Sequence, residues 1–452
     1  MTHHDLAVVG TGSGNTIVDE RFAGLDVVHV EATRFGGTCL NVGCIPTKML
    51  AHTAEVAESV RTASRFGVDA RIDGVRWRDI VDRVYGRLDP IGDDGRAYRS
   101  EHGTVHIGHA RFTGPRAMTV ELADGGRTAF TADRIVLAAG GRPSVPPPVA
   151  ESGVPFDTSD TIMRIEELPR RLAVLGGGYI AAELAHVFGG LGCEVTIVEV
   201  ADTLLGGMDE TVAERFTAAA RERFDVHTGR SVERVTGGPG EVTLHLDDST
   251  QVHADRLLVA AGRTPNGDRM DLPAGGVATH DDGRVRVDRH RRTTAEGVWA
   301  LGDISTPHPL KHVANHEAQV VAHNLAHPDD LRAVDHDPVP AAVFANPQVG
   351  MVGRTGQQCR DEGLAHRIGL HEYADVAYGW ALEERRGFCK VITAPDGSLL
   401  GAHVLGPQAA TLIQQLVQAM ALGLTAQRTA DVQYWIHPAL SEVVENALRD
   451  AQ

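Results

Sequence analysis

Cys39 and Cys44 are the residues whose type and spacing most directly indicate chemistry. They lie in the stretch GGTCLNVGCIPTK, residues 36–48, with Pro46 just after the second cysteine. Proline suits the first turn of a helix, where its missing N–H costs nothing, so we expect Cys44 at a helix N-terminus. The helix dipole there favours a thiolate, whereas an ordinary thiol has a pKa of about 8.5. Two thiols that can close a small ring, one of them activated, predict a redox pair.

Two other interpretations of these cysteines stay open at this point: two buried thiols, or half of a zinc site. A zinc site would require closer cysteine spacing and a second pair of ligands, which the sequence lacks. His312 and His316 lie four residues apart on one predicted helical face, but no third ligand stands at a recognisable position. We therefore predict no metal site. The other cysteines are expected to be small buried hydrophobic groups; they are Cys193, Cys359 and Cys389.

Length and charge limit the class of protein. A chain of 452 residues is too long for one ordinary core and predicts about three domains. The net charge of −17 argues against a nucleic-acid or anionic-membrane partner, since both reward a basic face. Five cysteines do not match a secreted disulfide framework. Because we find no signal peptide before the first predicted strand and no apolar run that could span a bilayer, we expect a cytoplasmic protein.

A glycine-rich turn follows the first predicted strand, residues 6–9. The turn reads GTGSGN, and a second apolar run after it ends at Glu31. This is the strand–turn–helix–strand pattern of a dinucleotide fingerprint, in which Gly10 makes the turn, Gly12 lets the backbone reach a pyrophosphate and Glu31 takes a ribose hydroxyl. Asn15 stands where the third glycine is expected, which puts the helix–strand packing at that point in question.

The same pattern occurs a second time in LAVLGGGYIAAELA, residues 172–185. Gly176, Gly178 and Ala181 occupy the G-x-G-x-x-A positions, and the strand that follows ends at Glu199. Each copy is closed by a similar strand and turn, AAGGRP at residues 138–143 and AAGRTP at residues 260–265. Internal repetition is more specific than either fingerprint alone. The repetition predicts two dinucleotides in one chain.

Glu199 also bears on which nicotinamide nucleotide is used. A carboxylate at the end of this strand hydrogen-bonds a free ribose 2′-hydroxyl, whereas a 2′-phosphate needs a nearby arginine. The next arginine after Glu199 is Arg215. The sequence therefore favours NADH over NADPH.

The rest of the chain supplies a helical segment and a separate C-terminal module. Residues 51 to about 108 are mostly helical in pattern, and from about residue 340 the pattern is strands followed by a helix. Near the C-terminus His437 precedes Pro438, which is predicted to start a helix with Glu442 in its first turns. A histidine oriented by a carboxylate is a plausible acid–base partner for a thiol, and a histidine that only caps the helix is the alternative.

Taken together, GGTCLNVGCIPTK, the two fingerprints, LGDIS (residues 301–305) and HPALSE (residues 437–442) resemble the flavoprotein disulfide reductases, the glutathione reductase and lipoamide dehydrogenase superfamily. Within it, GTGSGN, CIPTKML, LKHVANHE, DVAYGWALEE and YWIHPAL are most similar to the mycothione reductase branch. The resemblance covers essentially the whole chain. It implies an α/β protein with two Rossmann-like dinucleotide-binding domains and a C-terminal α+β dimerisation domain.

The expected domain bounds are 1–150 for FAD, completed by about 267–335, then 151–266 for NAD(P)H and 336–452 for dimerisation. The resemblance implies an FAD site formed by Gly10, Gly12, Gly14, Glu31, Gly37, Thr38, Lys48, Gly140, Gly302 and Asp303. It implies a nicotinamide site formed by Gly176, Gly178, Tyr179, Ile180, Glu183, Glu199 and Gly262. Mycothione reductases are generally associated with NADPH, so an NADH preference would be a departure from that branch.

For the redox centre, the resemblance implies that Cys44 is the flavin-facing thiolate and that Cys39 attacks a small-molecule disulfide. Lys48 would pair with Glu183 near the flavin, and Tyr179, one helical turn before Glu183, would gate the nicotinamide site. Asp303 would bind the ribityl chain of FAD. His437, held by Glu442, would protonate the leaving thiol and would reach the cysteines from the partner subunit of a homodimer.

Several alternatives remain. Dihydrolipoamide dehydrogenase shares the cysteine motif, the histidine and the acidic strand end. Glutathione reductase is disfavoured because its anionic disulfide calls for basic residues, yet the first predicted helix offers Asp19 and Glu20 against Arg21. Mercuric reductase and the larger thioredoxin reductases resemble chains with a C-terminal cysteine pair, which this sequence lacks. A different class, a non-catalytic flavin-bound redox sensor, would be yellow without turning over any disulfide.

Overall fold

The N-terminal part of the chain forms a parallel sheet extended by an antiparallel meander. The structure is a computed structural model that describes residues 1–452. The first elements are β1 (Thr2–Val9), β2 (Val27–Glu31), α1 (Gly37–Asn41), α2 (Cys44–Thr62), α3 (Trp77–His102), β3 (Thr104–Gly114), β4 (Ala117–Leu122), β5 (Arg127–Leu137), β6 (Gly141–Pro143) and α4 (Pro147–Ala150). Strands β3, β2, β1 and β5 are neighbours in parallel order, and β3–β4–β5 is antiparallel.

The middle part repeats this architecture. Its elements are β7 (Asp157–Thr158), β8 (Arg171–Leu175), α5 (Tyr179–Gly190), β9 (Glu194–Glu199), α6 (Glu210–Arg221), β10 (Asp225–Thr228), β11 (Val232–Gly238), β12 (Glu241–Leu246), β13 (Gln251–Ala254), β14 (Arg256–Val259) and β15 (Arg263–Pro265). The sheet β10-β9-β8-β14-β7 is parallel, and β11-β12-β13 is an antiparallel meander. The two glycine turns therefore stand at the same point of two similar sheets, after β1 and after β8.

The chain then returns to the first sheet before it builds the C-terminal module. Strand β16 (Val298–Ala300) adds to the first sheet beside β5, and α7 (Lys311–Ala326) follows it. The last elements are β17 (Pro340–Val343), β18 (Val349–Gly353), α8 (Gly356–Asp361), β19 (Arg367–Glu372), α9 (Ala377–Leu382), β20 (Phe388–Thr393), β21 (Leu399–Leu405), α10 (Ala409–Ala421), α11 (Ala426–Asp431) and α12 (Ser441–Asp450). The sheet β17-β18-β21-β20-β19 is antiparallel throughout. The predicted fold class is confirmed.

A shared core joins the helix that carries Cys44 to the second nucleotide-binding unit. Helices α2 and α5 pack through small residues, so that a side chain added at Gly190 would lie 2.7 Å from Ala54 Cβ. Both helices belong to one buried cluster of 36 residues, which also takes in residues of the C-terminal sheet. Close packing of this kind leaves little room for α2 to shift relative to α5.

The first crossover differs from the prediction, because no α-helix connects β1 to β2. Residues 10–26 form only two 3-10 turns, Ser13–Thr16 and Glu20–Phe22. Serine, glycine, asparagine and threonine are weak helix formers, and a lone helical turn is costly to nucleate. The expected helix with Asp19, Glu20 and Arg21 on it was therefore wrong, and Asp19 instead accepts hydrogen bonds from Arg21 within a tight turn.

Two smaller expectations also need correction. Residues 67–76 interrupt the helical segment between α2 and α3, and β3 begins at Thr104. The last helix begins at Ser441 rather than at Pro438, and the Glu442 carboxylate accepts a hydrogen bond from the Ala439 N–H at 3.2 Å just ahead of it. None of the helices has both the length and the hydropathy needed to cross a membrane.

Candidate active site

The two cysteines lie in two consecutive helices. Cys39 is in the short helix α1 and half-buried, and Cys44 is the first residue of α2 and exposed. A hydrogen bond from the Cys39 thiol, together with the charge of Lys48, lowers the pKa of Cys44 to about 7. The same hydrogen bond and burial raise the pKa of Cys39. Cys44 is therefore the thiol that loses its proton first, near neutral pH, while Cys39 keeps its own.

The glycine turn after β1 holds α1 in place. Gly37 has a φ of 62°, and a side chain there would lie 2.7 Å from the Gly12 Cα. Only glycine allows both the backbone angle and the close approach. The Asn41 amide donates hydrogen bonds of 3.0 Å to the carbonyl oxygens of Phe35 and Gly37 and closes the helix from its other end. The predicted dinucleotide turn and the cysteine helix are thus one packed unit.

Lys48 and Glu183 meet between α2 and α5. The Lys48 Nζ lies 2.7 Å from both Glu183 carboxylate oxygens, and the Phe344 N–H donates to the same carboxylate at 2.9 Å. The ammonium group also lies 4.8 Å from the centre of the Phe344 ring. Because Glu183 is 4% exposed, this geometry fixes the Lys48 ammonium one helical turn from Cys44, where its charge favours the thiolate.

Arg263 contacts three segments that carry predicted cofactor-binding residues. Its guanidinium donates to the Gly141 carbonyl oxygen at 2.5 Å and to Thr38 Oγ1 at 3.5 Å, and its Nε lies 3.8 Å from the Asp303 carboxylate. Burial raises the pKa of Asp303, and the positive charge of Arg263 opposes that rise. Tyr179 is exposed, and the charges of Arg263 and Asp303 act on its hydroxyl group in opposite directions. Arg263 thus links Thr38, next to Cys39 in α1, to Asp303.

The turn after β1 fits the phosphate and ribose groups of a dinucleotide. The N–H groups of Gly12 and Ser13 donate to no acceptor in the protein, and unpaired amides at such a turn are the donors that a phosphate binds. The buried Glu31 carboxylate accepts bonds from the Thr11 N–H at 2.9 Å, the Thr11 hydroxyl at 2.6 Å and the Thr33 N–H at 3.0 Å. These bonds hold the carboxylate at the strand end, as a ribose ligand requires.

The turn after β8 has the same backbone with fewer bonds to its carboxylate. Gly10 and Gly176 have φ angles of 101° and 116°, and a side chain at either would meet a carbonyl oxygen, at 2.2 and 2.4 Å. Glu199 lies against Gly177 and accepts one hydrogen bond, from the Ala201 N–H at 2.7 Å.

The structure places the remaining predicted residues as follows. Gly302 donates its N–H to the buried Glu317 carboxylate at 2.7 Å, and the carbonyl oxygens of Gly140 and Gly262 accept backbone bonds that close the two returning turns. Tyr179 and Ile180 are the first two residues of α5. Gly178, just before Tyr179, has open space where a side chain would be. Gly14 packs inward against β1 and the turn after β5.

His437 and Glu442 form a polar pair near the C-terminus. The His437 Nδ1 is 2.8 Å from the Glu442 carboxylate, and this hydrogen bond lowers the pKa of Glu442. The imidazole is 71% exposed, and its neighbours Tyr434 and Ile436 are exposed as well. No hydrogen bond or ion pair joins His437 to either cysteine. Exposed aromatic and aliphatic side chains beside a polar pair are the composition of a surface that another protein covers.

An open cleft of about 470 Å³ lies beside Cys44. Its lining residues are Cys44, Ile45, Lys48, Met49, His52 and Arg83. The cleft therefore carries basic groups, whereas Asp19, Glu20 and Arg21 lie in the first crossover and do not line it. The charge argument against an anionic disulfide such as glutathione disulfide does not hold.

One of the two histidines considered as metal ligands has another partner. His312 lies 2.8 Å from the Pro340 carbonyl oxygen, and no group of three or more histidine, cysteine, aspartate or glutamate side chains is arranged to hold a metal ion. The other cysteines are buried, as expected; they are Cys193, Cys359 and Cys389.

Sequence reasoning missed two side chains that complete the site. Arg263 belongs to the AAGRTP stretch, which the sequence indicated only as a strand and turn. The motif gave no indication that Arg263 contacts Thr38 and Asp303. Phe344 contributes a backbone N–H and an aromatic face from β17's end, more than 150 residues beyond Glu183. No local pattern signals a contact of that separation.

Comparison with known proteins agrees with this geometry. The family model of the pyridine nucleotide-disulphide oxidoreductases matches residues 4–320, and the model of their dimerisation domain matches residues 339–448. A mycothione reductase from Mycobacterium tuberculosis is 50% identical, with 99% of each chain covered. A dihydrolipoyl dehydrogenase from Halobacterium salinarum is 32% identical over all of this chain and 96% of the other.

Among solved structures, the HOCl-induced flavoprotein disulfide reductase RclA from Escherichia coli has a TM-score of 0.86 at 25% identity, covering 99% of this chain and 100% of the other. Similarity of sequence, fold and domain content thus extends over the full length. The chain therefore belongs to the pyridine nucleotide-disulphide oxidoreductase family, whose enzymes use FAD and NAD(P)H and carry a C-terminal dimerisation domain.

Proposed function

We propose that this protein reduces mycothiol disulfide with electrons from NADH, through FAD and the Cys39–Cys44 pair. The observation that carries the choice of substrate is the 50% identity to a mycothione reductase over 99% of both chains, against 32% to a dihydrolipoyl dehydrogenase. The proposal places FAD on the first nucleotide domain, residues 1–150 with about 267–335, and NADH on residues 151–266. When bound, these two cofactors supply the electron pair that opens the Cys39–Cys44 disulfide.

The exchange of disulfides then needs only protein side chains. Deprotonated Cys39 attacks one sulfur of the substrate disulfide, which forms a mixed disulfide and releases one thiolate. The Cys44 thiolate attacks the Cys39 sulfur, restores the Cys39–Cys44 disulfide and releases the second thiolate. Two electrons and two protons enter for each disulfide converted to two thiols. The pKa of about 7 at Cys44 makes a thiolate available at neutral pH for the second attack.

A base and an acid are required because the proton of the pair resides on Cys39. We propose the partner subunit's His437 in both roles: it takes the proton from Cys39 and gives it to the leaving thiolate. Within a protomer Glu442 holds the imidazole Nδ1, which leaves Nε2 for the reaction. The match to a dimerisation domain and the exposed position of His437 support this arrangement.

The surroundings of Glu199 support the preference for NADH. Arg230 follows β10, and its backbone N–H donates to the Glu199 carbonyl oxygen at 3.0 Å. The Arg230 side chain is paired with Asp248, with Nε 2.8 Å from the carboxylate. The Arg230 guanidinium is therefore already paired rather than free to bind a 2′-phosphate. A ribose with a free 2′-hydroxyl can instead donate to Glu199.

The test is an anaerobic titration of the purified protein with NADH, followed by visible absorbance. We expect a long-wavelength band after two electrons, and we expect mycothiol disulfide to remove it while glutathione disulfide and lipoamide do not. Because the cleft carries Lys48, His52 and Arg83, the glutathione arm is a necessary part of the experiment.

Each alternative has its own result. A band that only lipoamide removes would assign the protein as a dihydrolipoamide dehydrogenase. Full reduction of the flavin with no band would show that Cys39 and Cys44 are not the electron relay. A flavin that NADH reduces but that no disulfide reoxidises would indicate a redox sensor. A higher kcat/KM with NADPH than with NADH would contradict the nicotinamide preference alone.

A further inference from the structure

The crossover between β1 and β2 lacks the element that usually secures a dinucleotide turn. In the second nucleotide domain, the twelve-residue helix α5 follows the turn directly. Its internal hydrogen bonds hold the turn, and its N-terminal amides face the ligand. In the first domain only the 3-10 turn Ser13–Thr16 stands in that place, without a capping side chain of its own. Another group has to hold this turn.

Arg99, near the end of α3, contacts the turn at three points. Its Nε donates to Asn15 Oδ1 at 2.8 Å, and its Nη2 donates to the carbonyl oxygens of Asn15 at 2.6 Å and of Val18 at 3.0 Å. The side chain is half-buried, and no carboxylate forms an ion pair with it. All of its bonds to the protein therefore go to the crossover.

The nearby histidine does not compete for these acceptors. His29 on β2 is 2% exposed, and neither of its ring nitrogens has a partner. Burial, aided by the charge of Arg99, lowers the pKa of His29 to about 4. The His29 ring is thus neutral, and the charged group beside it is the Arg99 guanidinium.

The position of Asn15 explains the departure from the glycine fingerprint. A side chain at Gly14 would lie 2.6 Å from Ala138 Cβ and 3.2 Å from Val8 Cγ1, so Gly14 makes the close approach to the sheet that the third glycine normally makes. Position 15 is therefore free to carry a side chain. Asparagine there presents an amide oxygen to Arg99.

We propose that Arg99 is a positioning residue for FAD: by holding Asn15 and Val18 it fixes the turn whose free N–H groups, at Gly12 and Ser13, bind the FAD phosphates. This inference depends on the proposed function, which places FAD in the first domain. Carbonyl and N–H groups of a helical turn point in opposite directions along its axis. An anchor on the carbonyl side therefore orients the N–H side without touching the cofactor.

The experiment measures FAD release from the purified holoenzyme, followed by the recovery of free-flavin fluorescence after dilution. For Arg99→Met we expect release at least about tenfold faster, because hydrogen bonds to a charged donor are lost from a partly buried site. For Arg99→Lys we expect an intermediate rate, since an ammonium cannot span all three acceptors. Arg96→Met, an exposed change on the same helix, is the matched control and should leave the rate unchanged.

Asn15→Gly tests the connection between the two residues. It restores the usual glycine, removes one acceptor and should speed release by a smaller factor than Arg99→Met. In the double variant the two effects should combine to less than their product, because both changes break the same contact. Thermal unfolding of the apoproteins serves as the second measurement, and the variants should melt close to the wild type.

Unchanged FAD release in Arg99→Met, or a loss of apoprotein stability that accounts for the faster release, would overturn the inference. If Arg99→Met fails to fold, Arg99→Lys and Asn15→Gly decide the question by the same rates. A wild-type protein that carries no FAD would instead refute the proposed function. The two failures are therefore distinguishable.

Discussion

The two nucleotide-binding domains share a backbone plan but differ in how tightly the strand-end carboxylate is held. In the first, Glu31 is buried and accepts three short hydrogen bonds from Thr11 and Thr33. In the second, Glu199 is half-buried and accepts one. A fully bonded, buried carboxylate suits a ligand that stays bound, and an open one suits a ligand that enters and leaves at each turnover. The comparison supports FAD as the resident cofactor and the nicotinamide nucleotide as the exchanging one.

The cysteine pair lies where the two nucleotide-binding domains meet. Its removal should abolish disulfide reduction while both domains keep their nucleotide binding. Cys44→Ser should lower disulfide turnover at least about a thousandfold, because the group that resolves the mixed disulfide is gone. FAD content and reduction of the flavin by NADH should persist, without the long-wavelength band. Steady-state turnover and anaerobic absorbance measure this. Cys193→Ala is the control for loss of a thiol elsewhere, and wild-type turnover in Cys44→Ser would refute the relay.

The first domain should respond to loss of its carboxylate by losing its cofactor. Glu31→Ala leaves the Thr11 and Thr33 donors without an acceptor and removes the ribose ligand, which predicts a roughly 30-fold weaker FAD affinity, or about 2 kcal/mol. Fluorescence titration of the apoprotein with FAD measures it. Glu20→Ala, exposed in the same crossover, should change nothing. Equal FAD affinity in Glu31→Ala and wild type would show that Glu31 does not hold FAD in the first domain.

The second domain should respond to the equivalent change in KM. Glu199→Ala removes one acceptor for the ribose 2′-hydroxyl, so KM for NADH should rise about tenfold while FAD content stays at the wild-type level. KM for NADPH should change less, since its 2′-phosphate gains nothing from this carboxylate. Initial rates with both nucleotides give the result, with Glu194→Ala, exposed on the same strand, as control. FAD loss from Glu199→Ala would reverse the assignment of the two sites.

The smallest effect concerns the ion pair that crosses between the domains. Because the pKa of Cys44 is lowered to about 7, the thiolate and its long-wavelength band should be lost as pH falls through about 7 and be fully developed above it. Lys48→Met removes a favourable charge and should move the midpoint to higher pH. A pH titration of the two-electron-reduced protein measures both. Arg96→Met should keep the wild-type midpoint, and an unshifted midpoint in Lys48→Met would show that Lys48 does not stabilise the thiolate.

The sequence could predict those parts of the site that depend on short local motifs. The CLNVGC spacing, Pro46 after Cys44, and the paired glycine turns indicated the helix start and two similar sheets, and the structure has both. The missing first helix was not predicted, because β1, the glycine turn and β2 match the usual pattern and that match outweighed the low helix propensity of Ser13–Thr16.

Local features follow from the amino-acid sequence: where α2 begins, which turns require glycine, and which residues can carry a thiolate, a carboxylate or an imidazole. Which of these groups meet depends on the tertiary fold. Arg99 reaches Asn15, Arg263 reaches Thr38 and Phe344 reaches Glu183 across 84, 225 and 161 residues. Such contacts follow from the packing of α3, β15 and β17 against the two sheets, and packing is a property of surfaces that no spacing along the chain records.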